Sequence, residues 1–154
     1  MTDMKQRLQD DLTEAIRARD SVRSATLRMA LAALTNEEVA GKESRVLSDD
    51  DVVLVLGREA KKRRESIEAY STAGRQELVD IERAELAVLS DYLPEALTDD
   101  ELARLVADAV TQAQSDGLEG MKAMGAVMKV LQPQIAGRAD GAVVAASVRS
   151  ALGT

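Results

Sequence analysis

The chain of 154 residues contains no histidine and no cysteine. The absence of cysteine excludes disulfides, zinc–thiolate sites and thiol nucleophiles. The absence of histidine removes the commonest general base, the commonest metal ligand and every Ser–His or Cys–His nucleophile pair. The sequence also lacks the glycine-rich fingerprints of phosphate and dinucleotide loops. We therefore expect no catalytic residue, no bound metal and no cofactor in this chain.

Aromatic residues are almost as scarce, because two tyrosines are present and neither Phe nor Trp occurs. A core must therefore be built from Leu, Val, Met and Ala. The chain also offers almost nothing on which a nucleic-acid base could stack. With only two prolines and an abundance of Ala, Leu, Glu and Arg, the composition is typical of helical proteins.

Long hydrophobic segments are missing as well. The longest strongly apolar run, Val52–Gly57, falls far short of the roughly 20 residues that a membrane-spanning helix needs. Residues Met1–Asp11 are polar and charged, which is unlike a secretory signal or a transit peptide. We therefore expect no membrane association and a cytoplasmic location.

Charge is distributed unevenly along the chain. The net charge is −7, so the molecule as a whole repels phosphate backbones. From Gly117 onward the balance is reversed, because Glu119 and Asp140 are the only acidic residues there. The four basic residues of the same stretch are Lys122, Lys129, Arg138 and Arg149. The tail is therefore locally basic on an acidic body.

Apolar residues at helical spacing predict four helices in the N-terminal part of the chain. The first begins at about Thr2. Asp20 can cap the second, which is apolar on two adjacent stripes and should lie at the centre of a bundle. Ser48 followed by Asp51 has the spacing of a capping box and predicts the start of a long third helix. A fourth helix follows and ends at Pro94.

Three more helices are predicted after Pro94. Thr98 with Glu101 forms a second capping box, which starts the first of them. The next helix is closed by Pro133, and Asp140 caps the last one.

The clearest boundary in the chain lies between residues 93 and 98, where a proline is followed by a new helix cap. The sequence therefore predicts an all-α protein. An N-terminal helical bundle occupies residues 1–95, and a small three-helix C-terminal domain occupies residues 96–154.

Three methionines, Met121, Met124 and Met128, follow one line of a predicted helix together with Leu131. Methionine at helical spacing is more often part of a core, and we interpret the line in that way. The alternative is a pliable docking groove for a partner.

A run of basic residues between positions 58 and 64 could bind phosphate groups. The spacing of nearby glutamates favours a solvated helix face that pairs with itself, because the charges lie four residues apart. The pairs at that spacing are Glu59–Arg63, Lys61–Glu65 and Arg64–Glu68.

Gly125 lies inside a predicted helix, where glycine costs about 1 kcal/mol relative to alanine. A glycine there indicates that something approaches the helix closely, either a neighbouring helix of the chain or the backbone of a ligand. The sequence from Gly137 to Gly141 predicts a tight turn between helices with Arg138 at its corner. Asp140 fits a helix cap better than a catalytic carboxylate.

Gly125 and the segment from Gly137 to Gly141 form a pattern with Met128 and with the Val-rich last helix. Further segments of the pattern lie in the N-terminal part: Thr26–Met29, Asn36–Glu37, Arg58–Glu59, Ala73–Arg75 and Leu89–Glu95. Through them nearly the whole chain resembles the YqeY-like family. That family is related to the tail domain of the B subunit of the glutamine-dependent aminoacyl-tRNA amidotransferase.

The resemblance implies a two-part all-α protein whose C-terminal unit is similar to a tRNA-engaging module. That module is attached to the amidotransferase B subunit and to some glutaminyl-tRNA synthetases. The family is linked to carbon–nitrogen ligase activity with glutamine as the amido donor. In that enzyme, however, amide hydrolysis belongs to a separate subunit, and activation of the tRNA belongs to a domain that this chain lacks.

We therefore expect an accessory protein of translation that binds tRNA weakly through its C-terminal domain and has no catalysis of its own. Components of the amidotransferase or of a synthetase are the expected protein partners. One alternative is a component associated with the amidotransferase. Another is a helical adaptor that binds proteins through an apolar groove.

A tRNA contact on this chain should read charge and shape rather than stacked bases. The predicted RNA-binding residues are Lys122, Lys129, Arg138 and Arg149. For Arg138 the alternative is a tether between the turn and a helix carboxylate. Structural roles in helix and turn are predicted for Gly125, Met128, Gly137, Asp140 and Gly141.

Overall fold

A computed structural model describes residues 3–153 of the chain. Within that range it contains seven helices and no strand, so the predicted all-α class with a helical bundle and three further helices is confirmed. Thr2, where we expected the first helix to begin, and Thr154, the last residue of the predicted C-terminal domain, lie outside the described residues, as does Met1. No helix between residues 3 and 153 is long and apolar enough to cross a membrane.

Two compact units make up the fold, Met1–Pro94 and Glu95–Thr154. Each has its own hydrophobic core. That residues 1–95 and 96–154 are independent domains, as the sequence predicts, stays a prediction.

The first unit is a four-helix bundle. Its helices are α1 (Met4–Arg17), α2 (Ser21–Glu38), α3 (Asp49–Thr72) and α4 (Gln76–Ser90). Helix α2 packs against each of the other three, which confirms the central position that its two apolar stripes predict. The buried core around it includes Leu8, Leu27, Leu34, Leu56 and Leu89.

Side-chain caps fix where these helices begin. The Asp20 carboxylate accepts a hydrogen bond from the Arg23 amide at the start of α2. At the start of α3, Ser48 and Asp51 form the predicted reciprocal capping box. The hydrogen bonds from the backbone and then the side chain of Ser48, with the Arg45 charge, lower the pKa of Asp51.

The second unit is a three-helix bundle in which every helix packs against the other two. Its helices are α5 (Asp99–Ser115), α6 (Gly120–Ile135) and α7 (Gly141–Leu152). Thr98 and Glu101 form the second predicted capping box, and the Asp140 side chain caps α7. The core is built from aliphatic side chains, among them Val106, Val127, Leu131, Val144 and Val148.

Helix α6 differs from its prediction at Pro133. The helix does not close there and continues to Ile135. A proline removes the hydrogen bond from its own nitrogen to the carbonyl four residues earlier. Because only two helical residues follow Pro133, the bundle tolerates that single loss in the last turn.

The core-facing line of α6 also differs from the predicted methionine line. The fully buried residues are Ala123, Val127, Leu131 and Ile135. Met124 and Met128 pack against the edge of that core, whereas Met121 is 84% exposed. The prediction of a core position is therefore wrong for Met121, because the buried line repeats every four residues from Ala123 and passes beside it.

Candidate nucleic-acid interface

The outer face of α6 carries two lysines and no acidic residue. Lys122 and Lys129 are both exposed, and no Asp or Glu occurs from Gly120 to Ile135. Seven residues separate the lysines, so they lie on nearly the same line of the helix, about 10 Å apart along its axis. Within the described residues neither ammonium group pairs with a carboxylate. Both charges are therefore available to an external anion.

Gly125 lies between these two lysines on the same outward side of α6. Apart from its two chain neighbours and the adjacent backbone of α6, a side chain placed there would meet no atom within 4 Å. The interpretation that a neighbouring helix of this chain approaches Gly125 is therefore wrong, because the residue faces solvent rather than a helix contact. The second interpretation, approach by a ligand backbone, stays a prediction.

Arg138 occupies the turn between α6 and α7, and its guanidinium group is already engaged. Its Nε donates a hydrogen bond to the carbonyl of Glu95 at 2.9 Å. Its Nη2 lies 3.8 Å from a carboxylate oxygen of Glu101, and its own carbonyl accepts from the Leu97 amide at 2.9 Å. Arg138 thus ties the turn to the segment that precedes α5, in agreement with the tether that the sequence left open.

The remaining residues of the turn act on the backbone. Gly137 has a φ of 71°, which glycine adopts at little cost. The Asp140 carboxylate accepts a hydrogen bond from the Ala142 amide at 2.9 Å and begins α7. Gly141 is the first residue of that helix. Farther along α7, Arg149 is exposed and, among the described residues, has no ion pair.

Helix α5 carries the opposite charge. Three acids, Asp99, Asp100 and Glu101, lie in its first turn, and Asp108 follows. Arg104 is the single basic residue of this helix. The second unit is therefore polarised, with acidic groups on α5 and the exposed cations Lys122, Lys129 and Arg149 on α6 and α7.

Several residues of the basic run of α3 are paired, but mostly through contacts other than the predicted four-residue spacing. Arg58 reaches Glu37 of α2 at 2.9 Å, and Lys62 contacts Glu59 at 3.1 Å. Arg63 is also 3.7 Å from Glu59, at the predicted four-residue spacing.

Arg63 departs from the prediction of a solvated face, since only 7% of it is exposed. Its Nε lies 2.8 Å from a carboxylate oxygen of Glu85 and 3.7 Å from one of Glu82, both on α4. Its Nη2 also contacts the sulfur of Met29 at 3.7 Å. Sequence reasoning missed this residue. The available signal was its position three residues after the buried Ala60, on the core side of α3.

The carboxylates around Arg63 have unequal environments. Burial raises the pKa of Glu82, and the charge of Glu85 raises it further, whereas Arg63 lowers it. Glu82 Oε2 and Arg63 Nε are both buried without a hydrogen bond, so Nε meets Glu85 as an ion pair only. Within residues 3–153, no three acidic side chains are arranged as metal ligands.

A second, partly buried polar cluster joins α1 and α2 to the segment after α4. The Tyr92 hydroxyl contacts Asp11 and also accepts a hydrogen bond from Arg23 Nη2 at 3.0 Å. The guanidinium of Arg7 lies 4.7 Å from the centre of the Tyr92 ring, within cation–π range. These groups satisfy one another, which is the arrangement of a structural network.

Known proteins resemble this chain over nearly its whole length. The family model described as "Yqey-like protein" matches residues 5–152. A protein of Pyrenophora tritici-repentis named "Altered inheritance of mitochondria protein 41, mitochondrial" is 31% identical over 151 residues, which cover 96% of this chain and 80% of the relative. The protein of the same name from Eremothecium gossypii is 30% identical over 156 residues, covering 98% and 81%.

These names correct the expected location. A further relative from Kluyveromyces lactis, 32% identical over 64% of this chain and 55% of its own length, is also named a mitochondrial protein. The cytoplasmic location predicted from the polar residues Met1–Asp11 is therefore wrong, since the relatives point to mitochondria. Compartment depends on targeting information that the composition of a helical chain does not report.

Proposed function

This chain belongs to the YqeY-like family, and on that premise we propose that it is an accessory protein of translation that binds tRNA. Contact is made through the sugar–phosphate backbone, on the outer face of α6 in the second unit. The protein has no catalysis of its own. The observation that carries this proposal is the pair of exposed lysines, Lys122 and Lys129, on a helix without acidic residues.

Backbone contact fits the composition of the chain better than base reading does. Both tyrosines lie in the first unit, at Tyr70 and Tyr92, so the second unit has no aromatic ring for a base to stack on. Lysine contacts phosphate as a point charge and carries no base preference. Binding should therefore be similar for different tRNA species.

The proposed interaction is weak and depends on salt. A net charge of −7 opposes the approach of RNA, and only a few cations favour it. If Lys122, Lys129 and Arg149 each neutralise one phosphate, log K should fall with log salt at a slope of about −2.7. The dissociation constant should be roughly micromolar or weaker at physiological salt.

Fluorescence anisotropy with labelled, deacylated bulk tRNA tests the proposal. The double variant Lys122→Gln/Lys129→Gln should bind about tenfold more weakly and flatten the salt slope by about two units. A matched control, Arg28→Gln/Lys42→Gln, removes two exposed positive charges from the first unit and should keep the wild-type affinity. Equal weakening in both doubles, or no binding by the wild type at 50 mM salt, would refute the proposal.

The absence of catalysis has its own test. The purified chain should not release ammonia from glutamine, because it has neither histidine nor cysteine to activate a nucleophile. Sustained glutaminase turnover that a single substitution abolishes would contradict this part of the proposal.

A further inference from the structure

Gly125 has none of the usual reasons for a glycine inside a helix. Its φ is not positive, unlike those of Gly117 and Gly137, so its backbone conformation does not require glycine. Apart from its chain neighbours and the adjacent helix backbone, no atom comes within 4 Å of the position that a side chain would take, so packing does not require glycine either. Glycine at this position nevertheless lowers the stability of α6 relative to alanine. Its cost therefore indicates a contact outside the chain.

The surroundings of Gly125 define what that contact can be. Lys122 and Lys129 lie one turn before it and one turn after it, on the same outward side of α6. The backbone of the helix is thus exposed in a shallow gap between two cations. A phosphate backbone can enter such a gap and keep both ammonium groups within reach.

The apolar residues of α6 do not offer a competing protein-docking face. Met121 and Val130 are its exposed large apolar side chains. They are nine residues apart, which places them on opposite flanks of the helix. Met121 lies one turn before Gly125, so among the large apolar side chains of α6 that are exposed it alone adjoins that residue, whereas protein interfaces have broad apolar centres.

We propose that Gly125 is the close-approach point at which the sugar–phosphate backbone of an RNA helix lies against α6. Lys122 and Lys129 pair with phosphates on either side of it. This inference rests on the proposed function. It states that RNA affinity depends on the absence of a side chain at residue 125 as well as on the charge of the lysines. Substituting a larger residue for Gly125 should therefore weaken RNA binding, even where the substitution stabilises the protein.

The full-length chain provides the test, with a labelled 20-base-pair RNA duplex and bulk deacylated tRNA as probes. Gly125→Ala should raise the melting temperature by about 2–4 °C, because alanine favours the helix and has open space around it. The same variant should weaken binding about threefold, and Gly125→Leu about tenfold, as expected when added atoms separate paired charges. Ala107→Leu, at an exposed position of α5, is the matched control and should keep wild-type affinity.

The outcomes separate this inference from the proposed function. If Gly125→Leu binds both probes like the wild type while Lys122→Gln/Lys129→Gln loses binding, close approach at Gly125 is wrong and the lysine surface stands. If the wild type binds neither probe, both proposals fail. If Ala107→Leu loses as much affinity as Gly125→Leu, the effect is not local and the inference is overturned. Opposite signs for stability and affinity in Gly125→Ala would support it.

Discussion

The Tyr92 hydroxyl donates a hydrogen bond to Oδ2 of Asp11 at 2.5 Å, between residues that are 81 positions apart. Burial raises the pKa of Tyr92, and the hydrogen bond to Asp11 and the charge of Asp11 raise it further. The proton therefore stays on the tyrosine, which is the form that can donate to a carboxylate. Arg23 donates to the same hydroxyl from α2 at 3.0 Å, so one side chain links three segments of the first unit.

Replacing this tyrosine should destabilise the first unit. Tyr92→Phe keeps the buried ring but removes the hydroxyl, and it should lower the free energy of unfolding by about 1–3 kcal/mol, the contribution of a hydrogen bond to a charged group. Urea denaturation followed by circular dichroism measures the change. Tyr70→Phe is the matched control, because Tyr70 is only partly buried and should change stability by less than about 0.5 kcal/mol. Equal effects of the two substitutions would contradict the role of the Tyr92 network.

The two glutamates of α4 beside Arg63 should respond oppositely to neutralisation. Glu82 has a raised pKa, so its charged form is less favourable in the folded chain than in the unfolded chain. This cost is absent below pH 4.5, where Glu82 is protonated in both states. It grows between pH 4.5 and the raised pKa of the folded state, and it is complete above that pKa. Glu82→Gln removes the cost. Its advantage in melting temperature over the wild type should therefore increase from pH 4.5 to pH 7.

Glu85→Gln supplies the contrast. Its carboxylate is the one closest to Arg63, at 2.8 Å, and removing that charge leaves a buried guanidinium with weaker partners. The variant should lose about 1–3 kcal/mol of stability at pH 7. Thermal melts of both variants across the same pH range provide the comparison. A destabilised Glu82→Gln at pH 7 would show that the charge of Glu82 is favourable in the fold.

Alanine variants of Arg138 and Arg149 should show that Arg138 has a structural role and that Arg149 contacts RNA. Arg138→Ala removes the hydrogen bond to the Glu95 carbonyl and should lower stability by about 1–2 kcal/mol while leaving the salt slope of tRNA binding unchanged. Arg149→Ala removes the same charge from an exposed position and should leave stability unchanged and flatten the slope by about one unit. A flatter slope for Arg138→Ala would instead make that residue a phosphate contact.

The segment before α5 should increase the stability of the second unit when that unit is produced as an isolated fragment. A fragment starting at Thr98 lacks the Glu95 carbonyl and the Leu97 amide, both of which bond Arg138. A fragment of residues 95–154 keeps these bonds and should melt at a higher temperature than one of residues 98–154. Both are small enough to be only marginally stable. If neither shows helical circular dichroism in native buffer, the predicted independent C-terminal domain is wrong.

Local signals in the sequence predicted the helix starts well. The capping boxes at Ser48 and Thr98 and the cap at Asp20 depend on residues no more than three positions apart, so no tertiary contact is needed to recognise them. The clear helical periodicity of the segments between them was enough to predict an all-α fold. The RNA-binding roles that the sequence suggests for Lys122, Lys129, Arg138 and Arg149 stay predictions.

The features that sequence reasoning missed depend on contacts between distant segments. Arg63 belongs to a charged run, and only the packing of α4 against α3 makes it a buried residue with partners 19 and 22 positions away. The engagement of Arg138 with Glu95, 43 positions earlier, depends in the same way on the packing of the second unit. Met121 follows the same helical line as Met124 and Met128 in the sequence. It is exposed because that line does not point directly at the core, which the sequence alone does not show.

The link between Asp11 and Tyr92 also has a consequence for synthesis on the ribosome. Helix α1 is made 81 residues before its tyrosine partner, a delay of roughly 4–16 s at 5–20 residues per second. During that time the side of α1 that carries Asp11 has no Tyr92 to contact. Nascent chains arrested before Tyr92 has emerged should therefore be cut by protease within α1, whereas chains arrested after the complete first unit has emerged should resist.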